Sequence, residues 1–240
     1  MAKTGKLELS PRLQLLADWV PSGVRIADIG TDHAFLPVWL VLHGKVVSAI
    51  ASDLREGPLA RGGETAREHG VAHLVEMRLC NGLTGIAPEE ADVVIIAGMG
   101  GENIAQILSA APWTADGAHI MLLQPMSKTE VLRSFLVHNG YEITREKLVM
   151  DRGTVYPVME VTAGHMELSQ GQLHAGVKLL HDPLQDRALI DKIIRHQAVV
   201  AGLNRTGRVA DQEKADAIRD LIGEFLEMRE EWRRVNSPSD

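Results

Sequence analysis

ADIGTDHAF, residues 27–35, includes the end of the apolar run Val24 to Ile29 and the turn after it, and it contains two aspartates, a glycine and a histidine within a few positions. Gly30 allows the backbone to pass close to a ligand. The N-terminus of the helix that is expected next favours an anionic group such as a carboxylate. We therefore predict that this segment is a ligand-binding turn between a buried strand and a helix.

Apolar runs of the same kind recur along the chain, and each is followed by a stretch with a helical pattern. The runs are continuous rather than alternating, which is typical of strands that are covered on both faces of a parallel sheet. They are Val24 to Ile29, Val46 to Ala51, Leu74 to Leu79, Val93 to Ala97 and Ile120 to Leu123. The pattern predicts an α/β fold with a doubly wound sheet.

The C-terminal part of the chain departs from this pattern in two steps. Tyr141 to Val149 and Thr154 to Val161 flank the turn Asp151-Arg152-Gly153, which predicts an antiparallel pair at the end of the sheet. Further on, apolar residues recur at helical spacing. We therefore predict a main domain over residues 1–165 and a helical hairpin, similar to a coiled coil, over residues 166–240.

Composition and charge restrict the class of protein. The chain has 240 residues, a formal net charge of −7 and one cysteine, Cys80. No apolar run approaches the length of a membrane span, and a lone cysteine fits a reducing compartment, so we expect a cytoplasmic protein. The acidic balance implies that a polyanionic partner would be held by local basic patches. The sequence has no set of side chains at metal-ligand spacing, so no metal is expected.

The residues that end each apolar run are candidate site residues, because ligands bind at the carboxyl ends of parallel strands. Asp53, followed by Leu54, ends the second run, and its carboxylate can accept both hydroxyls of a ribose. NAD and S-adenosylmethionine share such a ribose, so Asp53 indicates a nucleoside without identifying it. Asn81 and Gly82 follow the third run, where the amide either binds an adenine edge or belongs to an ordinary turn.

Two further motifs end the fourth and fifth runs. In Ala97-Gly98-Met99-Gly100-Gly101 the glycines open space beside a ligand and Met99 can cover a flat ring, or the glycines simply permit a sharp helix entry. Gln124 and Pro125 follow the fifth run, where the amide either contacts a base edge or caps a helix. The first turn lacks the G-x-G-x-x-G spacing of dinucleotide sites, which makes an NAD-dependent reductase the least favoured enzyme class.

Taken together, these motifs resemble the bacterial tRNA adenine-22 N1-methyltransferases, the TrmK family. The resemblance covers about residues 7–163, and its most specific elements are ADIGTDHA at residues 27–34 and IAGMGG at residues 96–101. It implies a class I methyltransferase fold of Rossmann-like type and S-adenosylmethionine as the methyl donor. It also implies that the C-terminal helical domain helps to bind tRNA.

The resemblance further implies roles for individual residues. The donor would be bound by residues of four strand ends: Asp28, Gly30, Thr31, Asp53, Leu54, Asn81, Gly82, Ala97, Gly98 and Met99. The acceptor base would face Asp32, His33 and Arg12. Phe35, Gln124 and Pro125 are further candidates for contacts with the substrate. Two positions depart from the family pattern: Cys80 stands where the family usually has glycine, and Met126 where it usually has asparagine. A thioether cannot replace the hydrogen bonds of an amide, so the departure at Met126 concerns selection of the base.

The chemistry of adenine N1 sets the expected mechanism. N1 has a free lone pair at neutral pH, so its methylation depends on positioning more than on acid–base catalysis. We predict that Asp32 supplies the catalytic carboxylate near the charge that moves onto the purine, and that His33 or Phe35 orients the ring. The alternative for Asp32 is that it caps the following helix.

Two other functions fit the same residues. One is a tRNA-binding protein that keeps the donor pocket without turnover, and the other is a methyltransferase that acts on a small molecule. Transfer of label from S-adenosylmethionine to unmodified tRNA separates both from the main prediction. The expected assembly is a monomer.

Overall fold

The structure is a computed structural model that describes residues 7–205 and 208–237. The chain divides into two compact units. The first comprises Met1–Arg145 and Val149–Met166, and the second comprises Glu146–Leu148 and Glu167–Asp240. Among the described helices, none combines the length and apolarity needed to cross a bilayer.

The sheet has the doubly wound topology expected from the sequence. Its strands are β1 (Val24–Ile29), β2 (Val46–Asp53), β3 (Val75–Leu79), β4 (Val93–Gly100), β5 (Ile120–Ser127), β6 (Tyr141–Asp151) and β7 (Thr154–Ala163). Their order across the sheet is β3-β2-β1-β4-β5-β7-β6. β1 to β5 pair in parallel, whereas β7 pairs antiparallel with β5. The chain therefore reverses its winding between β1 and β4, which is where ligands bind in such sheets.

In the first unit, one α-helix precedes β1 and the others follow β1, β2, β4 and β5. Among the described residues, β3 is followed only by the short 3₁₀ helix Pro88–Glu90 and not by the helix that the sequence predicts. The α-helices are α1 (Pro11–Trp19), α2 (Phe35–Leu42), α3 (Glu56–Glu68), α4 (Gly101–Ser109) and α5 (Thr129–His138). The apolar runs of β1 and β4 are buried, including Ile26, Ile95 and Ile96, because helices cover both faces of a parallel sheet. The class I methyltransferase type of architecture that the sequence predicts is therefore confirmed.

Three strands extend beyond the apolar runs from which they were predicted. β2 continues to Asp53, β4 to Gly100 and β5 to Ser127. Polar residues and glycines can continue a strand when the neighbouring strand supplies hydrogen bonds, and Gly100 still pairs with Ser127. As a result, the motifs of β4 and β5 lie within the ladder rather than in loops after it.

Among its described residues, the second unit contains three helices rather than the predicted two. They are α6 (Gln170–Ala175), α7 (Gln185–Leu203) and α8 (Val209–Asn236). α6 begins with a capping box, in which Ser169 Oγ accepts a hydrogen bond from the Gln172 N–H at 3.2 Å. Apolar residues from all three helices pack into one cluster: Ala175, Leu189, Ile193, Leu221, Ile222 and Phe225. The short helix α6 was not predicted, because the feature that marks it in the sequence is its N-terminal cap and not a periodic pattern of apolar residues.

Candidate active site

The turn after β1 is tied to the end of β2 by backbone hydrogen bonds. The N–H groups of Gly30 and Thr31 both donate to the carbonyl oxygen of Ser52, at 2.8 and 2.9 Å. Gly30 has a φ of 76°, a conformation that glycine adopts without strain. A Cβ at this position would overlap Met99 Cε, so the thioether of β4 occupies the space above Gly30. The turn thereby brings the ends of β1, β2 and β4 together.

A cavity of about 580 Å³ opens at the ends of β1, β2, β3 and β4. We call it the donor cavity. Of the residues predicted to bind the donor, it is lined by Gly30, Asp53, Leu54, Asn81, Gly82 and Met99. Its other lining residues include Cys80, the α4 residues Asn103, Gln106 and Ile107, and Ala110 at the C-cap of α4. The α4 residues were missed, although their spacing of three and four along a helix directly after the AGMGG motif is a signal that could have found them.

The carboxylate of Asp53 is the polar group at the end of β2 in the donor cavity. Asp53 is 7% exposed, and its Oδ1 accepts a hydrogen bond from the N–H of Arg55 at 2.8 Å. Its neighbour Ser52 is also buried, and Ser52 Oγ has no hydrogen-bond partner among the described residues. A bound nucleoside could form hydrogen bonds with both this buried carboxylate and the neighbouring unpaired hydroxyl.

A second cavity of about 520 Å³ adjoins the donor cavity at Gly30, which lines both. We call it the acceptor cavity. Its lining includes Arg12, Asp32, His33 and Phe35, which are predicted to face the substrate, together with Asp28, Thr31, Ala97 and Gly98, which are predicted to bind the donor. The hairpin residues Asp151 and Arg152 also line it and were not predicted as site residues.

Asp28 is a buried carboxyl group in the lining of the acceptor cavity. Burial raises its pKa to about 6, and a hydrogen bond with Thr31 partly opposes the shift. At neutral pH the group is therefore largely ionised, but at a cost that a bound cation would offset. This makes Asp28 a suitable partner for an ammonium or sulfonium group.

Asp32 lies in the open part of the acceptor cavity, where its side chain is 63% exposed. Its Oδ1 accepts a hydrogen bond from Arg61 Nη2 at 2.6 Å, and its Oδ2 lies 3.5 Å from His33 Nε2. The hydrogen bond from Arg61 is the main cause that lowers the pKa of Asp32. The alternative prediction that Asp32 caps α2 is wrong, because the N-cap residue is Ala34 and no side chain caps that helix.

Aromatic surface is also available in the acceptor cavity. The rings of His33 and Phe35 are stacked, with their centroids 5.1 Å apart and their planes inclined by 9°. Phe35 is 40% exposed, so part of its ring is accessible to a ligand. A flat base can extend such a stack.

Arg12 reaches the acceptor cavity from α1 and is held by three elements. Its Nε donates to Asp151 Oδ2 at 2.7 Å, and its Nη1 donates to Gln124 Oε1 at 2.6 Å and to Met126 Sδ at 3.4 Å. The guanidinium also lies 5.3 Å from the centroid of the Tyr156 ring. Met126, at the position of the departure from the family pattern, therefore contacts Arg12.

Gln124 and Pro125 are both buried and line neither cavity. Their predicted contact with the substrate stays a prediction, as do the roles predicted for the residues that line the cavities. Within residues 7–205 and 208–237 there is no group of three or more His, Cys, Asp or Glu side chains that could hold a metal ion.

The sequence is similar to a methyltransferase family model and to a known tRNA methyltransferase. Residues 9–159 match the family model described as a methyltransferase domain. The chain is 34% identical over 178 residues to the tRNA (adenine(22)-N(1))-methyltransferase of Bacillus subtilis (strain 168), covering 74% of this chain and 75% of the relative.

The fold also matches those of solved protein structures. The crystal structure of the B. subtilis m1A22 tRNA methyltransferase TrmK matches with a TM-score of 0.86 at 27% identity, covering 93% of this chain and 100% of that one. Streptococcus pneumoniae Sp1610 in complex with S-adenosyl-L-methionine matches with a TM-score of 0.81 at 30% identity, covering 92% and 100% of the two chains.

Proposed function

Because this chain belongs to the tRNA (adenine(22)-N(1))-methyltransferase family, we propose that it transfers the methyl group of S-adenosylmethionine to N1 of adenine 22 in tRNA. The observation that carries the proposal is the pair of cavities that adjoin at Gly30. Methyl transfer requires donor and acceptor to approach along one line, and two cavities that share a wall residue permit this approach.

The residues of the donor cavity fit a sulfonium nucleoside. Its volume of about 580 Å³ lies within the range of small-molecule sites. Asp53 would accept the hydroxyls of the ribose, and Asn81 would bind the adenine edge. The methionine end of the donor would extend past Gly30 into the acceptor cavity and meet Asp28 and Thr31 there, where the ionised carboxylate attracts the positive charge. When bound, S-adenosylmethionine supplies the electrophilic methyl group.

On the acceptor side the protein has to hold the base rather than remove a proton. Since N1 lies on the pairing edge of adenine, the nucleotide must leave its stack, at a cost of a few kcal/mol. The stacked rings of His33 and Phe35 would receive the extruded base. Asp32 would stabilise the positive charge that develops on the purine, with its carboxylate kept ionised by Arg61.

The second unit and the cellular setting complete the proposal. We propose that residues 166–240 help to bind tRNA, that the enzyme acts as a monomer, and that it works in the cytoplasm. A single cysteine, Cys80, which is free, supports a reducing compartment.

The decisive experiment combines the full-length protein with labelled S-adenosylmethionine and unmodified tRNA. We expect label in tRNA, and mass spectrometry of the digested product should place the methyl group on N1 of adenine 22. A protein that binds both partners without transferring label, or that methylates only small molecules, would contradict the proposed function.

A further inference from the structure

Gly98 interrupts the pairing of β4 with β5. In the parallel ladder Ala97 pairs with Gln124 and Met99 pairs with Pro125, so Gly98 is an extra residue with no partner opposite it. It has a φ of 76°. Its N–H donates to the side-chain Oε1 of Gln124 at 3.2 Å. The side chain of Gln124 therefore satisfies the backbone amide that the irregularity removes from the ladder.

The same oxygen atom accepts a second hydrogen bond, from Nη1 of Arg12 at 2.6 Å. Gln124 is 0% exposed, and its Nε2 donates to the carbonyl oxygen of Pro125 at 3.0 Å. An amide oxygen has two lone pairs, and both are used here. Gln124 can therefore contact a substrate only if it breaks these hydrogen bonds within the protein.

The two groups that Gln124 holds belong to different parts of the site. Gly98 lines the acceptor cavity, and the next residue, Met99, extends into the donor cavity over Gly30. Arg12 lines the acceptor cavity, where Asp151 binds the other side of its guanidinium. One buried amide thus connects the donor-facing end of β4 with the cation of the acceptor cavity.

We propose that Gln124 is a positioning residue for methyl transfer, which acts through Gly98 and Arg12 and does not touch the base. This inference rests on the proposed function. By holding both groups with one atom, Gln124 sets the distance and angle between the donor wall and the acceptor cavity. A displacement of about 1 Å in such an alignment lowers a reaction rate by about 100-fold.

The test compares Gln124→Met with Gln124→Glu. Methionine keeps the length of the side chain but removes the accepting oxygen, whereas glutamate keeps an oxygen that accepts from Arg12 and Gly98. We expect Gln124→Met to lower kcat by about 100-fold and to weaken S-adenosylmethionine binding. We expect Gln124→Glu to restore both values to within about 5-fold of wild type. Its carboxylate still accepts from Gly98 and Arg12, and the Arg12 guanidinium pairs with the new negative charge, while the Nε2 donor to Pro125 is lost.

Arg12→Met provides the second arm. If both residues act through one contact, the loss in Gln124→Met/Arg12→Met should be smaller than the product of the two single losses. Thr114→Val is the matched control, since Thr114 is also buried and hydrogen-bonded but lines neither cavity. It should keep kcat within about 2-fold of wild type.

Three results would overturn the inference. One is Gln124→Glu failing as severely as Gln124→Met with donor affinity unchanged, which would place the amide on the base. Another is a wild-type rate in Gln124→Met, and the third is equal loss in the Thr114→Val control. Absence of methyl transfer in the wild-type protein would reject the proposed function alone, and the S-adenosylmethionine titrations of the same variants would still test Gln124.

Discussion

The donor cavity and the acceptor cavity share Gly30 but are constructed in different ways. The donor cavity takes its polar groups from the ends of adjacent parallel strands and from α4, which directly follows β4, so each group lies in or next to a short motif. The acceptor cavity joins Arg12 of α1 to Asp151 at the end of β6, which are 139 positions apart. The donor side is therefore specified by local sequence, whereas the acceptor side depends on contacts that only folding creates.

This difference has a functional meaning. A strand end in a parallel sheet presents backbone and side-chain groups in a fixed frame, which suits a donor of constant structure. A network of side chains such as Arg12, Gln124 and Asp151 can be altered by a single substitution, as Met126 illustrates by contacting Arg12. Changes in base recognition are therefore expected on the acceptor side first.

The largest effect should follow from a change at the shared residue. Gly30→Ala adds a methyl group that overlaps Met99 Cε in a backbone conformation with a φ of 76°. We expect donor affinity to fall by about 100-fold to 1000-fold, measured by calorimetric titration with S-adenosylmethionine. Gly23→Ala is the matched control, because Gly23 has a φ of 79° and open space around it. If Gly23→Ala loses as much donor affinity, the shared wall is not the cause.

The second effect is the pH dependence of the stability that Asp28 contributes. Its pKa rises from 3.8 to about 6 in the folded protein, so the unliganded fold binds a proton more tightly than the unfolded chain does. The associated stability is fully present below pH 3.8 and is lost as the pH rises through 6, a change of about 3 kcal/mol.

Asp28→Asn should remove this dependence. We expect the variant to be more stable than wild type at pH 8 by up to about 3 kcal/mol in urea unfolding without ligand, and to bind S-adenosylmethionine more weakly. Equal stability of the two proteins at pH 8 would show that ionised Asp28 carries no such cost.

A smaller effect is expected at the ribose end of the donor cavity. Asp53→Asn replaces one charged acceptor by an amide and should weaken donor binding by about 2 kcal/mol, or about 30-fold, while kcat at saturating donor changes little. Asp92→Asn serves as the control. Asp92 directly precedes β4, at the other end of that strand from the cavity, and its carboxylate accepts a hydrogen bond from Arg25. Unchanged donor affinity in Asp53→Asn would remove the ribose contact from the proposal.

The smallest effect should separate the acceptor side from the donor side. Asp32→Ala and Asp32→Asn both remove the charge and should lower kcat by about 10-fold at saturating tRNA, since the carboxylate is exposed and already neutralised in part by Arg61. Donor affinity should stay at the wild-type value. An unchanged rate in both variants rejects a catalytic role for Asp32.

Much of the fold could be predicted because its main signals are local. Continuous apolar runs predict β1 to β5, and the turn at Arg152 and Gly153 predicts the final pair of strands. The ends of β2, β4 and β5 could not be read in this way, because pairing with a neighbour continued each strand through polar residues and glycine. α6 was not predicted for a related reason: a capping box marks its start, and it has no periodic pattern of apolar residues.

The sequence alone determined the winding of the sheet, the placement of Gly30 and Asp53 at strand ends, and the kind of ligand that fits there, because each follows from a few consecutive residues. Only the tertiary structure decided that Arg61 binds Asp32 and that Gln124 is buried between Gly98 and Arg12. These contacts join residues distant in the chain, and their geometry depends on side-chain packing, which no local pattern encodes.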